Sequence, residues 1–188
     1  IVISAEDIIR NLGCAITALD GPVSEPATIP LLLLSRAASQ DVKMVLSGEG
    51  ADEFLGGYAK HSLERFGSAF RRIPAPLRRT LRTGLAALPR RMGEKPLHAI
   101  DALGEEDPRR RYPRWFSAFG GPQFDALYRA EELDLDSVAD WHGSASRGAR
   151  GLLHFDQSSW LPDNLLERGD RMTMAASIEA RMPFMDQE

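Results

Sequence analysis

The densest group of reactive side chains in the sequence is Ser47-Gly48-Glu49-Gly50-Ala51-Asp52-Glu53, continuing through Phe54-Leu55-Gly56-Gly57-Tyr58. It offers a hydroxyl, three carboxylates within five residues, and glycines at 48 and 50 that permit positive φ and close approach of backbone to a ligand. Clustered carboxylates repel bare phosphate. They suit a polyphosphate only if Mg²⁺ bridges the two, or they suit a general base. A structural reading fits the same residues: a glycine-rich turn that opens an acidic helix with Asp52 as its cap. The residues alone leave both open. A dinucleotide fingerprint fails because Glu53 occupies the third glycine position of G-x-G-x-x-G, and no Lys follows to complete a P-loop.

The second concentration is Leu161-Pro162-Asp163-Asn164-Leu165-Leu166-Glu167-Arg168-Gly169-Asp170-Arg171-Met172-Thr173-Met174, running on through Ser177-Ile178-Glu179-Ala180-Arg181-Met182-Pro183-Phe184-Met185-Asp186. By itself, Asp170-Arg171 reads as an ordinary exposed ion pair. The histidines His61, His98, His142 and His154 form no H-x-x-H or H-E-x-x-H pattern, so no zinc site is expected and helix-surface positions are. Trp115, Trp141 and Trp160 read as packing anchors. Cys14, the single cysteine, rules out an internal disulfide, suits a reducing cytoplasm, and is expected to pack in the core beside Gly13.

These residues need elements to hold them. Ser4 and Asp7 form a capping box that starts a helix running to about Leu19, with Ile8, Ile9, Leu12 and Ile16 on one face. Asp20-Gly21-Pro22 ends it, and an extended loop follows to Pro30. A helix from Pro30 to Gln40 carries Leu31 to Leu34 and is expected to be buried on most sides. Val42 to Leu46 is the one convincing strand, and the Ser47 loop leaves its carboxyl end, where open α/β sheets hold their ligands. A lone strand cannot bury itself, so its sheet partners are expected outside the sequence. From Tyr58 the chain reads as successive helices, broken near Pro74-Ala75-Pro76, Pro89, Gly104, Pro108, Gly120-Gly121-Pro122 and Gly143. Leu152 to Met174 reads as two helices hinged at Leu161-Pro162-Asp163, with Asp163 capping the second.

The 188 residues are 43% hydrophobic and 27% charged, which excludes wholesale disorder. The longest apolar run, Ile29 to Leu34, contains Pro30 and falls far short of the about 20 residues a spanning helix needs. The net charge of -4 hides an asymmetry: residues 60–95 carry +8 and the remainder -12. Arginine outnumbers lysine twenty to three. The basic stretch reads as a solvated helix face; its alternative is a nucleic-acid-binding helical module. No aromatic lies between Arg71 and Lys95 to stack on a base, which favours the first.

Ser47 to Tyr58 resembles the S-G-E/D-G-A/G-D-E-L-F-G-G-Y motif of the asparagine synthase family. Leu161 to Asp186 is similar to that family's L-P-x-x-L-L-x-x-x-D-R-M-S-M-A-x-S-x-E-x-R-x-P-F-L-D block, and Asp20 to Ser35 resembles its D-x-P-x-x-x-P loop and following helix. Departures are small: Phe54-Leu55 for Leu-Phe, and Met185 for Leu. Gly169 loosens the helix before Asp170 and Arg171, which would let them turn inward.

The resemblance implies an α/β parent of adenine nucleotide α-hydrolase type, of which this stretch is the mostly helical part with one short parallel-sheet strand. Residues 1–60 would be the strand-loop nucleotide region, 61–150 a helical Arg-rich region, and 151–188 the substrate-side helices. The implied activity is ATP-dependent conversion of aspartate to asparagine through an aspartyl-adenylate, with ammonia drawn from glutamine. Ser47, Gly48, Glu49 and Gly50 would line the ATP site, Glu49 would act in amide formation, and Asp52 would hold Mg²⁺ and pyrophosphate. Asp170, Arg171, Glu179 and Arg181 would shape the aspartate side. The family's S-G-G-x-D-S loop and N-terminal glutaminase domain would precede Ile1, Cys14 being no substitute for the glutaminase nucleophile. A phosphate-contacting lysine would follow Glu188, so the stretch alone is expected to be inactive. Implied partners are aspartate and glutamine or ammonia, with room for a homodimer, in the cytoplasm and with neither nucleic acid nor membrane. A sister enzyme, such as a β-lactam synthetase or peptide cyclase, would run the same adenylation on another carboxylate.

Overall fold

A computed structural model describes residues 1–116 and 148–186 and divides into two compact units, Ile1–Phe54 with Ser159–Glu188, and Leu55–Ser158. The expected breaks at Gly120-Gly121-Pro122 and Gly143, with Trp141 and His142, lie outside the described residues.

The first unit opens with helix α1 (Ala5–Leu19), capped reciprocally: Asp7 N–H donates to Ser4 Oγ at 3.2 Å and Ser4 N–H to Asp7 Oδ2 at 3.0 Å. The capping box is as the sequence predicts. Asp20, in the left-handed region at φ 57°, closes the helix. Helix α2 (Thr28–Ala38) starts two residues earlier than expected, with Pro30 in its first turn, where no N–H is needed. Its leucines are not uniformly buried: Leu32 is enclosed, whereas Leu34 is 53% exposed. Ala15, Ile29, Leu32 and Met172 form the core, the small side chain of Ala15 letting helices approach closely. The isoleucine face of α1 stands outside it, with Ile9 75% exposed, and Cys14 is exposed rather than packed. The expected core packing of Cys14 does not hold, because the helix turns Ala15, Ala18 and Leu19 to its neighbours.

Strand β1 (Met44–Leu46) is shorter than the expected Val42 to Leu46, and its partner is in the chain after all. Strand β2 (Glu179–Arg181) pairs with it in parallel, Met44 opposite Glu179 and Leu46 opposite Arg181. Met44 and Leu46 face outward and are exposed, so a two-stranded sheet leaves the strand largely unburied.

The expected hinge at Pro162 is absent. Helices α9 (Ala149–Phe155) and α10 (Glu167–Met174) are joined by π-helical turns over Asp156–Leu166, which contain Pro162. The wider i→i+5 turn relieves the clash a proline ring makes inside an α-helix, so the chain need not break. Asp163 therefore lies within the helix and caps nothing. A Schellman turn ends α10: Ser177 takes φ 55°, its N–H donates to Met174 O, and Ile178 N–H reaches back to Thr173 O at 3.1 Å. The turn delivers Glu179, whose N–H donates to Lys43 O, straight into β2.

In the second unit the predicted breaks at Pro74, Pro89, Gly104 and Pro108 separate α6 (Ala75–Ala86), α7 (Arg90–Gly104) and α8 (Pro108–Arg114). Short helices α4 (Ala59–Glu64) and α5 (Gly67–Arg71) precede them. Buried here are Ala102, Leu103, Tyr112 and Leu152, and also charge. Arg111 Nε donates to Glu64 Oε1 at 2.8 Å, and Arg111 Nη1 to two backbone carbonyls at 3.0 Å each. His61, expected on a helix surface, is buried: its Nε2 meets Asp156 Oδ2 at 2.7 Å, as does Lys60 Nζ. A fully enclosed carboxylate needs such partners. His98 is half-buried against Trp115 O, and only His154, of those described, is exposed. Trp115 and Trp160 are half-buried.

Candidate active site

Because β1 and β2 run in parallel, their carboxyl ends fall side by side, and the two motif segments leave the sheet at the same edge. Ser47 N–H donates to Arg181 O at 2.8 Å, extending the pairing one residue past β1. The Ser47 hydroxyl accepts the Glu49 N–H at 3.4 Å, which turns the chain back on itself. Gly50 completes the turn at φ 93°, and a Cβ there would lie 2.8 Å from Met185 Sδ. The backbone angle favours glycine, and a side chain there would also have to displace Met185. Gly48 uses neither freedom; it has a negative φ and open space around it. Helix α3 (Ala51–Leu55) follows, with Asp52 as its second residue rather than its cap.

This geometry turns Glu49 against α10. Its Oε1 stands 3.8 Å from Arg168 Nη2, and its Oε2 lies where a Cβ on Gly169 would be only 2.8 Å away. Oε2 is buried with no hydrogen-bond partner among the described residues, and so is Arg168 Nε. Burial pushes the Glu49 carboxyl above its ordinary range; the Arg168 charge pulls it down and the Glu53 charge adds to the rise. A carboxyl whose charged form is disfavoured takes up a proton more readily than one in water.

The other predicted residues fall elsewhere. Asp52 is exposed, whereas its neighbour Glu53 is almost fully buried. Asp170 and Arg171 point to water instead of turning inward, with Arg171 Nη2 3.7 Å from Glu167 Oε1. Glu179 and Arg181 are exposed and pair with each other at 2.9 Å. The residue that sequence reading missed is Arg168. Its signal was helical spacing: Leu165, Gly169 and Met172 are buried on one stripe of the helix, and Arg168 belongs to that stripe.

Arg168 also lines a cleft of about 260 Å³, walled by Asp20, Gly21 and Glu25 from the loop after α1 and by Asp163 and Glu167. The described residues contain no group of three or more His, Cys, Asp or Glu able to hold a metal on their own. A Mg²⁺ carried by nucleotide phosphates needs only one or two carboxylates, and the exposed Asp52 fits that part. Among the described residues no helix is long and apolar enough to cross a membrane.

A loop bearing a mostly enclosed carboxylate thus meets the second motif across the parallel pair. The asparagine synthase family profile matches residues 1–188, and the chain belongs to that family. It is 34% identical over 192 residues to a Mycobacterium tuberculosis (strain H37Rv) protein named "Putative asparagine synthetase (glutamine-hydrolyzing)", covering 100% of this chain and 29% of that protein. It is 30% identical over 187 residues to asparagine synthetase (glutamine-hydrolyzing) 1 of Bacillus subtilis, covering 98% of this chain and 30% of that one. The chain thus spans about three tenths of the length of these relatives. No solved structure matches it.

Proposed function

We propose that this chain is part of the synthetase domain of an ATP-dependent enzyme that converts aspartate to asparagine through an aspartyl-adenylate, using ammonia released from glutamine. The observation that carries the reading is the largely enclosed Glu49 carboxylate, held on the loop after β1 and facing α10 with one oxygen unsatisfied. Ser47, Gly48, Glu49 and Gly50 line the nucleotide side, on an adenine nucleotide α-hydrolase type of sheet. Asp170, Arg171, Glu179 and Arg181 are assigned to the aspartate side, where exposure leaves them able to meet substrate.

The chemistry divides between two acids. Asp52 would hold Mg²⁺, which, when bound, neutralises charge developing on departing pyrophosphate. Glu49 accepts a proton from ammonia as its nitrogen bonds to the adenylate carbonyl and AMP leaves. Such proton transfer is worth roughly 10²–10⁴-fold in rate. Asp52→Asn in the full-length enzyme is therefore expected to abolish ATP–pyrophosphate exchange and asparagine formation together. Glu49→Gln should suppress asparagine formation far more than exchange. Equal loss of both in the two variants would defeat the division of roles.

A further inference from the structure

Arg168 occupies an unusual place. It lies on the stripe of α10 that also carries Gly169, Met172 and Thr173, all buried, while Arg171 three residues on is exposed and paired. Withdrawing a guanidinium from water is costly unless close partners replace the water. Here the partner is held off: Nη2 to Glu49 Oε1 is 3.8 Å, beyond a hydrogen bond yet close enough for the charges to act. Gly169 is the second oddity. Glycine weakens a helix interior, yet it stands where a Cβ would come within 2.8 Å of Glu49 Oε2 and 3.3 Å of Met182 Cε.

We infer that Arg168 and Gly169 are positioning residues for Glu49, the first holding its carboxylate by charge without capturing it in a hydrogen bond, the second leaving the room its outer oxygen occupies. Neither touches the reacting atoms. A short, forked Arg–carboxylate pair would occupy both oxygens and suppress their basicity; at 3.8 Å the carboxylate stays oriented and free to take a proton. The charged groups facing Glu49 are Arg168 on α10 and Glu53 on α3. The inference rests on Glu49 being the proton acceptor of amide formation.

The test uses the full-length enzyme with ammonium chloride as nitrogen donor, measuring asparagine formation and ATP–pyrophosphate exchange side by side, with melting temperature. Arg168→Gln is expected to lower asparagine formation by roughly 10²-fold more than exchange, the scale of a misplacement of about 1 Å. Arg168→Lys should recover most of that loss, since it restores the charge. Gly169→Ala should raise the melting temperature, because only the flexible ends of Glu49 and Met182 must give, while lowering asparagine formation selectively. Equal loss of both activities in Arg168→Gln overturns the inference, as does Gly169→Ala with raised stability and intact asparagine formation. If Arg168→Gln fails to fold, Gly169→Ala decides. If Glu49→Gln makes asparagine at the normal rate, the reading of Glu49 itself has failed, an outcome separate from anything the Arg168 variants show.

Discussion

In the helical unit Arg111 and Glu64 are almost wholly withdrawn from water, and their contacts are short: Nε to Oε1 at 2.8 Å, with two carbonyls taking Nη1. Trp115 Nε1 lies 3.4 Å from the other Glu64 oxygen. In the unit that carries the sheet, Glu49 and Arg168 are also largely enclosed, yet they stand 3.8 Å apart with a buried atom on each left without a partner. The first arrangement has nothing left to offer a ligand and holds helices together. The second leaves polar atoms unsatisfied at a cost in stability, as the role proposed for Glu49 requires. Of these two pairs, the satisfied one belongs to packing and the incomplete one to the candidate site.

The sharpest way to break that contrast is to remove one half of the satisfied pair. Glu64→Gln leaves the Arg111 charge buried against carbonyls and a neutral amide, a loss of about 3–5 kcal/mol for a broken interior pair. Urea denaturation of the variant would measure it. The ratio of exchange to asparagine formation should be unchanged in whatever protein remains folded. A loss below about 1 kcal/mol, the scale of a surface pair, would mean that short contact alone does not identify scaffold.

The sequence already contained the local half of this picture. The Ser4–Asp7 capping box, the helix breaks at Pro74, Pro89, Gly104 and Pro108, and the loop leaving β1 all depend on neighbours within a few residues, and the structure has each of them. What escaped depends on distant partners. The pairing of β1 with β2 joins residues 44–46 to 179–181. His61 is buried because Asp156 waits for it, and nothing within one helical turn says so. Pro162 looked like a hinge because proline breaks α-helices, but π-turns admit it. In the candidate site, Ser47 to Glu53 stood out as a loop able to carry chemistry, with a structural reading equally open; that Glu49 would face Arg168, and that Glu53 would be buried while Asp52 is exposed, followed from the packing of α10 and α3.

A smaller effect sharpens the other half of the contrast. The Glu49 carboxyl is raised above its ordinary 4.5, chiefly by burial, so the folded state binds its proton more tightly than the unfolded state does. The stability this contributes is fully present below the unfolded value and is lost as pH rises through the folded one. Above that window Glu49 is a partly buried charge that opposes folding, with Arg168 offsetting some of it. Glu49→Gln should therefore raise the melting temperature at neutral pH, and the gain should fade as pH falls through the raised folded value and be gone below 4.5, where both side chains are neutral. A gain that persists in acid would assign the effect to shape instead of charge.

The smallest effect belongs to a pair that is short but wet. Arg82 on α6 donates to both oxygens of Asp101 on α7, at 2.6 and 3.0 Å, and the two side chains are 44% and 30% exposed. The hydrogen bonds and the charge of Asp101 together hold the Arg82 guanidinium above its ordinary range. By distance alone this pair outranks Arg111–Glu64, so it separates contact length from burial as the source of stability. Water already solvates both groups, so replacing it gains little and fixing two side chains costs entropy. Arg82→Ala should cost only about 0.2–1 kcal/mol. The cost should shrink further as salt screens the charges, the Debye length falling from about 10 Å at 0.1 M to about 3 Å at 1 M. Urea denaturation at the two salt concentrations measures both quantities. A loss approaching that of Glu64→Gln, unmoved by salt, would show that geometry outweighs burial in this helical unit.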